Sequence, residues 1–321
     1  MSDFQVRVVR TPKLERQPGT DRLLRGEVNG FPVTVAIDSP VVGASLAVFI
    51  PVDSVVPDKP EFAFLKGDFH IRAARRRGLF SMGLLWPAPP DTVEGQDVAE
   101  MMGIARHEPK DPAGGDNERD GGYMPRYTDI ENFRQWHHVL IPGEEVVATE
   151  KIHGQCWRAR YAAEENRLVV GSFEVMKKRD AAQSHCAAAL TYGLEDKLRA
   201  YPDFAIYGEV LGTQKGYRYG RSEDKPDLRL FDVMDAKKRV YLDYDDAVRF
   251  AADIAVPMVP LLYRGPYDHD VLVALGEGPS TIHPEHVREG FVVKRAKESW
   301  DEHIQRVLLK YHGQGFLLKK K

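Results

Sequence analysis

The stretch "TEKIHGQCWRARY", residues 149–161, decides how we interpret the second half of this chain. Its lysine, Lys151, follows the apolar residues 146–148 and precedes His153 and Gly154. This pattern predicts a strand that ends at the lysine and continues into a tight turn. Solvation is the simplest interpretation of any one lysine. The alternative is that this lysine is a nucleophile.

The segments around this lysine predict a mixed α and β region. A hairpin is predicted at residues 155–173, with its tip at 164–166. Three further strands follow a similar apolar pattern, at residues 203–212, 227–234 and 288–295. Helices are predicted at residues 181–202, where leucines recur every four positions, and at 243–257. Residues 306–321 predict one more strand or strand pair with a basic tail.

The first hundred or so residues predict an all-β domain. Residues 4–10 alternate, and residues 23–37 predict a hairpin around Asn29-Gly30, the strongest short hairpin signal. Further strands are predicted at residues 45–57 and 67–87. About five short strands in this length suit a small closed barrel such as an OB-fold.

Basic and aromatic residues lie together in the last part of this domain, close to Phe69 and Phe80. The basic members are Arg72, Arg75, Arg76 and Arg77. This mixture suits a surface that binds single-stranded nucleic acid. The alternative is a solvated edge strand whose charge blocks aggregation.

Composition indicates a soluble globular protein of about two domains. Of its 321 residues, 43% are hydrophobic and 29% are charged. Because the net charge is −3, a nucleic-acid partner would be met through local basic patches. Two cysteines, Cys156 and Cys186, are too few for a disulfide framework or a four-ligand zinc site. No apolar run has signal-peptide or membrane-spanning length, so a cytoplasmic location is expected.

Six charged residues lie at or near the ends of predicted strands. They are Lys151, Glu209, Asp232, Glu289, Lys294 and Lys310. Glycines lie beside three of them, at Gly154, Gly208 and Gly290. Because glycine lets a ligand approach the backbone closely, this pattern predicts one cleft floored by strands.

Five short motifs resemble those of a known superfamily. "EKIHG", "YGEVLG", "LFDVM", "EGFVVK" and "VLLK" resemble nucleotidyltransferase motifs I, III, IIIa, IV and V of polynucleotide ligases and capping enzymes, in the same order and at fitting spacings. Lys-x-His-Gly, with the approach "YTDIENFR" at residues 127–134, is similar to ATP-dependent RNA ligases of the phage T4 RNA ligase 2 type. The β-rich first segment is similar to a subgroup with an N-terminal OB module.

The resemblance implies a fold and a domain order. The implied fold class is α+β, with a nucleotidyltransferase domain (ATP-grasp-like) of antiparallel sheets and helices preceded by a small all-β, OB-like barrel. The expected limits are residues 1–104 for the barrel and 123–321 for the nucleotidyltransferase domain. Between them, residues 105–122 are polar and rich in Gly and Pro, which predicts a flexible linker.

The resemblance also implies an activity. An ATP-dependent RNA ligase would place AMP on Lys151, transfer it to a 5′-phosphate end, and join a 3′-hydroxyl to that end. The implied ligands are ATP, Mg²⁺ or Mn²⁺, and RNA ends, either free or in a nicked duplex. A monomer that repairs RNA is expected. The alternatives are a DNA ligase or capping guanylyltransferase of the same superfamily, or a non-catalytic RNA-binding protein on a ligase scaffold.

The resemblance assigns roles to individual residues. Lys151 and His153 would be catalytic, Glu289 and Glu209 would hold the metal, and Phe231 would stack on adenine. The nucleotide contacts would come from Glu150, Ile152, Gly154, Arg158, Glu209, Phe231, Lys294 and Lys310. Basic residues that follow the hairpin would join the arginine cluster in binding RNA, namely Lys178 and Arg179. Strand-end ion pairs, core aromatics, turn residues and solvated lysines are the structural alternatives at these positions.

The lysine of such an enzyme must be neutral when it attacks phosphorus. An ordinary lysine pKa near 10.4 leaves very few neutral molecules at pH 7. Nearby cations lower a lysine pKa, and the expected ones here are Lys294, Lys310 and the bound metal.

Some positions depart from the family's pattern. Gln155 and Cys156 stand where the family has Thr or Ser followed by Asn or Ser. His312 stands where motif V commonly has a second lysine, so either residues 319–321 complete that motif or one phosphate contact is missing. A further basic residue of the family corresponds to one of three positions, Lys177, Lys178 and Arg179.

Overall fold

The computed structural model describes residues 4–16, 22–65, 67, 69–76, 79–107, 117–118, 122–179 and 184–319, without the side chains of 75, 76 and 79. The chain divides into an N-terminal unit, residues 2–111 with 317–321, and a C-terminal unit, residues 112–316. Most of the predicted linker, residues 105–122, lies outside the described residues, and the expected domain limits stay a prediction.

The N-terminal unit is built mainly of short strands. They are β1 (Arg7–Arg10), β2 (Glu15–Arg16), β3 (Leu23–Val28), β4 (Phe31–Ala36), β5 (Leu46–Ile50), β6 (Ser54–Val55), β7 (His70–Ile71), β8 (Ala74–Arg76), β9 (Leu79–Ser81), β10 (Leu84–Pro87) and β11 (Ala105–Arg106). A 3-10 helix (Pro60–Leu65) and α1 (Ala99–Met102) complete it. The sheets have the strand orders β1-β5-β10, β2-β3-β4, β11-β6-β7 and β8-β9.

The hairpin of β3 and β4 forms as the sequence predicts. Val28 pairs with Phe31, and the two turn residues have positive φ angles, 49° for Asn29 and 77° for Gly30. Such angles are typical of the tight turn that matches the twist of the strands. Phe31 then stacks on Phe49 of β5, with ring centroids 5.6 Å apart. The local turn signal therefore sets the register of a core strand.

The C-terminal unit contains longer strands and the remaining helices. Its strands are β12 (Asn117–Glu118), β13 (Glu131–Asn132), β14 (Glu145–Lys151), β15 (Gln155–Ala162), β16 (Arg167–Gly171), β17 (Met176–Lys177), β18 (Phe204–Leu211), β19 (Asp227–Asp235), β20 (Val240–Tyr241), β21 (Leu261–Pro266), β22 (Gly290–Arg295), β23 (Trp300–Asp301), β24 (Gln305–Arg306) and β25 (Leu308–His312). Its helices are α2 (Phe133–Trp136), a 3-10 turn (His137–Val139), α3 (Ser184–Thr191), α4 (Leu194–Arg199), α5 (Tyr244–Asp253) and α6 (His269–Leu275). The last helix, α7 (Gln314–Lys319), runs past the boundary between the units.

Two sheets organise the C-terminal unit. One has the order β12-β17-β16-β15-β18-β19-β20, and the other has the order β13-β25-β22-β14-β21. Neighbouring strands are antiparallel except for the pair β13 and β25. The chain leaves the five-stranded sheet at Lys151 and enters the seven-stranded sheet at Gln155. The tight turn predicted after Lys151 is thus the connection between the two sheets.

Three sequence predictions for this unit need correction. The helix predicted at residues 181–202 is two helices, α3 and α4, because Gly193 adopts a left-handed conformation with φ of 59°. Leu190 is 80% exposed and does not share a face with the buried Leu194 and Leu198. At residues 306–321, where one strand or a strand pair with a basic tail was predicted, a single strand, β25, forms and is followed by a helix, α7. Among the described residues, no helix has the length and apolar character needed to cross a membrane.

Candidate active site

Lys151 is the last residue of β14, and its backbone pairs with Gly290, the first residue of β22. Its Nζ atom lies 2.9 Å from Oε1 of Glu289, and the two side chains are 22% and 4% exposed. The end of one strand and the start of its neighbour therefore place a lysine and a carboxylate together as an ion pair. Both were predicted as site residues.

Two glycines make this close approach of strands possible. A Cβ atom on Gly290 would lie 1.8 Å from the backbone oxygen of Tyr311, and its φ of 151° is rare for other residues. A Cβ atom on Gly154 would lie 2.2 Å from the backbone oxygen of Val210. Because such distances are shorter than any van der Waals contact, both positions require glycine. The sequence signal of glycines beside charged residues has this steric cause.

Glu289 is buried among basic groups. Nδ1 of His153 lies 3.4 Å from its Oε2 atom, and Nε2 of His312 lies 3.3 Å from its Oε1 atom. Burial opposes ionisation, but Lys151 and the two histidines outweigh it and hold the pKa of Glu289 well below its ordinary value. Burial, assisted by Lys151 and Lys310, lowers the pKa of His312 to about 4. At neutral pH Glu289 is therefore an anion and His312 a neutral imidazole.

Glu209 approaches the same lysine from the other sheet. Its Oε1 atom accepts a hydrogen bond of 2.9 Å from the backbone N–H of Gly154. Burial and the charge of Glu289 raise its pKa to about 7, although Lys151 and the Gly154 N–H act in the opposite direction. Glu209 is therefore poised between its charged and neutral forms near neutral pH.

The lysine itself is protonated in this arrangement. Burial works to lower the pKa of Lys151, but the carboxylates of Glu289 and Glu209 outweigh it, and the pKa is raised. The sequence prediction was a lowered pKa caused by Lys294, Lys310 and a metal. The pKa of Lys151 is raised in the structure because the charged groups that act on it most strongly are the carboxylates of Glu289 and Glu209.

A cavity of about 620 Å³ opens beside Lys151. It is lined by Tyr127, Ile130, Val147, Thr149, Glu150, Lys151, Ile152, Glu209, Phe231, Asp232, Tyr244, Val259, Val292, Lys294 and Leu308. This volume includes space that is open to solvent at the mouth of the cavity. The lining is mostly apolar, with charged groups at a few positions, which is typical of a site that binds a nucleotide base and fixes its polar end.

Phe231 reaches this cavity because β19 carries a bulge. Tyr207 of β18 pairs with Asp232 and Gly208 pairs with Leu230, so Phe231 has no partner across the strand pair. A bulge of this kind turns a side chain away from its regular direction. The ring of Phe231 lies 4.7 Å from the ring of Tyr127, at an angle of 57°. The predicted base-stacking residue is therefore part of the cavity wall.

Lys294 belongs to a buried charged network below the cavity. Its Nζ atom lies 2.6 Å from Asp232 and 2.8 Å from Glu298. Arg306 bonds the same two carboxylates, at 2.9 Å and 2.6 Å, and lies over the ring of Tyr241 at 3.6 Å. Two cations and two anions balance here, which lets these groups remain charged although they are buried. Lys294 is thus held in place at the cavity, and its positive charge is compensated by the carboxylates of Asp232 and Glu298.

Glu150 and Ile152, on either side of the lysine, also line the cavity. Oε2 of Glu150 accepts hydrogen bonds from the backbone N–H, at 2.8 Å, and from the hydroxyl of Thr281. Its Oε1 atom is buried and makes no hydrogen bond to any described residue. Buried polar atoms normally have partners. This oxygen is therefore an acceptor that a bound ligand would complete.

Other predicted site residues lie away from the cavity lining. Arg158 is fully buried, and its guanidinium donates hydrogen bonds to the backbone oxygens of Ser172 (2.8 Å) and Met124 (3.1 Å). Arg158 thus bonds to the backbone of the fold, and its predicted contact with a nucleotide stays a prediction. Lys310 lies on β25 opposite Val292 and close enough to His312 to affect its pKa.

The basic residues predicted to bind RNA are only partly described. Nζ of Lys177 donates a hydrogen bond of 2.9 Å to Asn117, while Lys178 is exposed. Arg179 is exposed and forms an ion pair of 3.1 Å with Glu195. Arg72 is exposed. The side chains of Arg75 and Arg76, and the whole of Arg77, lie outside the described residues.

Sequence patterns missed several residues of this site. Tyr127 lies in a quoted motif, but its hydroxyl bonds to Asp232, which is 105 residues away. Arg306, on β24, donates to Asp232, and Glu298, just before β23, accepts from Lys294. Neither residue lies in a motif. No local sequence pattern indicates these partners, because the contacts between them form only in the folded protein.

The residues beside Lys151 include carboxylates that could hold a metal ion. Among the described residues, no group of three or more His, Cys, Asp or Glu side chains is arranged to hold an ion. The closest arrangement has two carboxylates, Glu289 and Glu209, on either side of Lys151. Mg²⁺ keeps several waters and uses one or two carboxylates together with substrate phosphates. The residues therefore fit an ion that arrives with a phosphorylated ligand.

Comparisons with known proteins agree with this architecture. The RNA ligase family model matches residues 144–312, and the model of an OB-fold domain matches residues 5–88. No curated protein sequence matched the chain.

Solved structures of one enzyme, the Naegleria gruberi RNA ligase, match almost the whole chain. A variant with ATP and Mn has a TM-score of 0.82 at 19% identity, covering 99% of each chain. The form with pyrophosphate has a TM-score of 0.81 at 20% identity, again covering 99% of each chain. A variant with AMP and Mn has a TM-score of 0.79 at 19% identity, covering 98% of each chain. These matches confirm the predicted fold class, an OB-fold domain followed by an α+β domain.

Proposed function

This chain belongs to the RNA ligase family, whose model matches residues 144–312, and we propose that it joins RNA 3′-hydroxyl and 5′-phosphate ends through AMP carried on Lys151. The observation that carries the proposal is the position of Lys151. Its Nζ atom pairs with Glu289 at 2.9 Å and it lines a cavity of about 620 Å³ together with Glu209 and Phe231. The Naegleria enzyme, which has the same fold, was solved with ATP, AMP and pyrophosphate, the compounds of the first step proposed here.

The cavity offers complementary contacts for adenosine. Phe231 and Tyr127 provide aromatic surface for the base. The unpaired Oε1 of Glu150 is an acceptor that suits the amino group of adenine and would repel the carbonyl oxygen of guanine. Glu209 would accept from the ribose hydroxyls, and Lys294, the other lysine of the lining besides Lys151, would contact the phosphates. We therefore propose ATP as the nucleotide.

The first step needs a neutral lysine. Lys151 would lose its proton and attack the α-phosphorus of ATP. A P–N bond would form, the bond between the α-phosphorus and the bridging oxygen would break, and pyrophosphate would leave with that electron pair. An unperturbed lysine at pH 7 pays roughly 4–5 kcal/mol for deprotonation, and the ion pair with Glu289 adds to this cost. The resting protein is therefore held in an inactive protonation state that substrate binding must change.

A divalent ion, Mg²⁺ or Mn²⁺, fits this change. Glu289 and Glu209 are the residues that would hold it. The ion would offset the negative charge of the triphosphate and would draw the charge of Glu289 away from the lysine. The partner that raises the pKa of Lys151 would then be engaged elsewhere, so the lysine would lose its proton more easily.

The two later steps transfer and release AMP. A 5′-phosphate oxygen of RNA attacks the phosphorus on Lys151, the P–N bond breaks, and the lysine nitrogen takes a proton. The 3′-hydroxyl of a second end then attacks the activated 5′-phosphate, and AMP leaves. His153 lies beside Glu289 and is placed to assist these phosphate transfers. Because the enzyme requires preformed broken ends, we propose RNA repair as its role.

Intact mass tests the first step. Incubation with ATP and Mg²⁺ should add the mass of AMP, and pyrophosphate should remove it. Radiolabelled ATP should label the protein and GTP should not, which separates this proposal from a capping guanylyltransferase. Sealing of RNA in preference to DNA ends separates it from a DNA ligase. A chain that never gains AMP would instead support a non-catalytic RNA-binding protein.

A further inference from the structure

A loop that lies outside the cavity lining carries alternating basic and aromatic residues. Residues 215–221 read "KGYRYGR", with no acidic residue among them. Lys215 and Arg221 are exposed, and Arg218 is partly exposed. Arg221 forms an ion pair of 2.9 Å with the buried Asp227, and Arg218 forms one of 2.9 Å with the exposed Glu223. An exposed ion pair of this type contributes little and is easily exchanged for another partner. The loop therefore presents cations that a phosphate would find accessible.

This loop is attached directly to the turn that follows Lys151. The side-chain amide of Gln214 donates a hydrogen bond of 3.1 Å to the backbone oxygen of Gly154. The backbone N–H of His153 donates one of 2.9 Å to the hydroxyl of Tyr219. Tyr219 is buried and has a φ of 51°, so it serves to hold the loop against the turn. Whatever binds the loop is thus placed close to the lysine.

Aromatic rings connect the loop to the lysine and to a second loop, residues 278–287. The ring of Tyr217 lies 5.3 Å from that of His153 and stacks on His286 at 5.0 Å, with an angle of 27°. His286 in turn lies 4.8 Å from His283. His153, Tyr217, His283 and His286 form what we call the ring cluster. None of its members lines the nucleotide cavity.

Polar atoms within these loops lack partners. The hydroxyls of Thr213 and Tyr217 and Nδ1 of His283 are buried and make no hydrogen bond to any described residue. Such atoms, two of them in the loops and one, of Thr213, just before the first loop, are unusual, because buried polar groups are normally paired. The two loops are therefore in an arrangement that a bound polar group, or the small adjustment that it causes, would complete.

From these observations we propose that the ring cluster and Lys215 bind the 5′-phosphorylated end of an RNA strand. The rings of Tyr217 and His286 would stack on the terminal base, and Lys215 with Arg218 would contact the phosphate charge. This assignment rests on the proposed RNA ligase function and names the surface that receives its substrate.

The chemistry favours the 5′-phosphate end over the 3′-hydroxyl end. The group that must first reach AMP on Lys151 is a 5′-phosphate, and a terminal phosphate carries more negative charge than any other part of the strand. Acidic residues also lie near the cluster: Glu223 and Asp224 follow the first loop, Glu285 stands between His283 and His286, and Glu289 lies 3.4 Å from His153. The positive charge that would attract a phosphate therefore comes from the first loop. A 3′-hydroxyl end has no terminal charge that would need a cationic loop.

The test uses the full-length protein, first charged with ATP so that the AMP-bearing fraction is known from intact mass. Binding is then measured with one oligoribonucleotide that has either a 5′-phosphate or a 5′-hydroxyl. Lys215→Ala should reduce the preference for the 5′-phosphate form. Tyr217→Ala should weaken binding of both forms by about fivefold or more, the effect of losing one stacked base, whereas Tyr217→Phe should retain most of the affinity.

Lys238→Ala is the matched control, because Lys238 is an exposed lysine (78%) on a different turn of the same unit. It should bind both oligonucleotides as the wild type does. Melting temperatures separate a folding defect from lost binding, and the Tyr217→Phe variant keeps the packing against His153.

The outcomes separate the two proposals. A wild-type chain that is never charged by ATP would overturn the RNA ligase function itself. If charging occurs but Lys215→Ala keeps the full preference for the 5′-phosphate, the phosphate contact is elsewhere and this inference is wrong. Wild-type affinity in Tyr217→Ala would equally remove the ring cluster as the binding surface.

Discussion

At the scale of single residues, the ion pair between Lys151 and Glu289 defines the resting state. The lysine is buried enough to be desolvated, yet two carboxylates hold its proton. This arrangement keeps a potent nucleophile inactive until a nucleotide and its metal engage the carboxylates. The cost of deprotonation is thus linked to the presence of substrate.

Replacing the lysine tests its role directly. Lys151→Ala should not gain AMP and should not seal 5′-phosphate ends. It should still join a strand that already carries 5′-linked AMP, since that step needs no AMP on the lysine. Intact mass and gel-based sealing assays measure the two steps. Charging by ATP in this variant would show that another residue is the nucleophile.

The pKa of Glu209 predicts a dependence of stability on pH. Burial and Glu289 raise this pKa from 4.5 to about 7, so between these values the folded protein binds more protons here than the unfolded chain. The free energy of unfolding therefore falls as pH rises through this window. Glu209→Gln should remove a loss on the order of 2 kcal/mol.

Chemical denaturation at pH 5 and pH 8 measures this effect. The free energy of unfolding of the variant minus that of the wild type should become more positive at pH 8. A difference that is equal at the two pH values would mean that Glu209 does not titrate in this range.

Sequence could predict individual residues only where the chemistry lies in a local pattern. Lys151, Glu209 and Glu289 were singled out because each lies at or near the end of a predicted strand with a glycine close by, within motifs that resemble those of the ligase family. For Arg158, the sequence position indicated nothing of the backbone oxygens to which it bonds in the fold. Arg306 was missed for the same reason, since its partners come from distant strands.

At the scale of elements, the turn between β14 and β15 sets the geometry of the site. It brings Gly154 against β18 so closely that the oxygen of Val210 occupies the space of a side chain. The backbone N–H of Gly154 can then bond to Glu209. A short turn thus fixes a carboxylate from one sheet beside a lysine from the other.

Gly154→Ala should disturb this arrangement. Its Cβ atom would meet the Val210 oxygen at 2.2 Å and Cγ of Glu209 at 2.9 Å, so the turn must move. We expect the free energy of unfolding to fall by about 1–3 kcal/mol and charging with AMP to slow. Thermal unfolding and the rate of charging, corrected for the folded fraction, are the measurements.

Gly143→Ala is the control for the Gly154 variant. Gly143 has a positive φ of 86° but open space around it, so alanine there strains the backbone far from the lysine. It should lose stability without slowing the charging of the folded protein. Equal charging rates in the two variants would show that the Gly154 turn does not position the site.

Elements were predictable where local signals were strong. The Asn29-Gly30 hairpin and the helix α5 match their sequence patterns. The break between α3 and α4 was missed because Leu190 continues the leucine spacing although it is exposed. The helix α7 was not predicted, since residues 306–321 were interpreted as one strand or a strand pair with a basic tail, and a short apolar run such as residues 316–318 is shared by short helices and strands.

At the scale of the whole molecule, the sequence indicated two parts, and their internal arrangement came from tertiary contacts. The order of strands in the two large sheets, with β14 between β21 and β22, has no local signal. The C-terminal residues 317–321 also belong to the N-terminal unit, where Leu317 and Leu318 pack against its core. No sequence pattern indicated that the two ends of the chain share one unit.

This arrangement determines how the units should be separated in an experiment. The residues of the lysine site and of the nucleotide cavity lie within residues 112–316. A fragment that ends at Phe316 avoids leaving Leu317 and Leu318 exposed without the core that covers them. Such a fragment should gain AMP from ATP, because it keeps Lys151, Glu209 and Glu289. It should seal RNA ends poorly, since the arginine cluster of residues 72–77 would be absent.

Changing Arg75, Arg76 and Arg77 to alanine together in the full chain separates RNA binding from folding. This variant should melt close to the wild type, since the sequence predicts surface positions for these arginines and surface charges contribute little to stability. It should charge normally, bind RNA more weakly, and show a shallower dependence of affinity on salt, because fewer phosphate contacts release fewer counterions. Binding titrations at several salt concentrations measure this slope. An unchanged affinity and slope would exclude the cluster as an RNA contact and would leave the RNA bound by the C-terminal unit or by another face of the barrel.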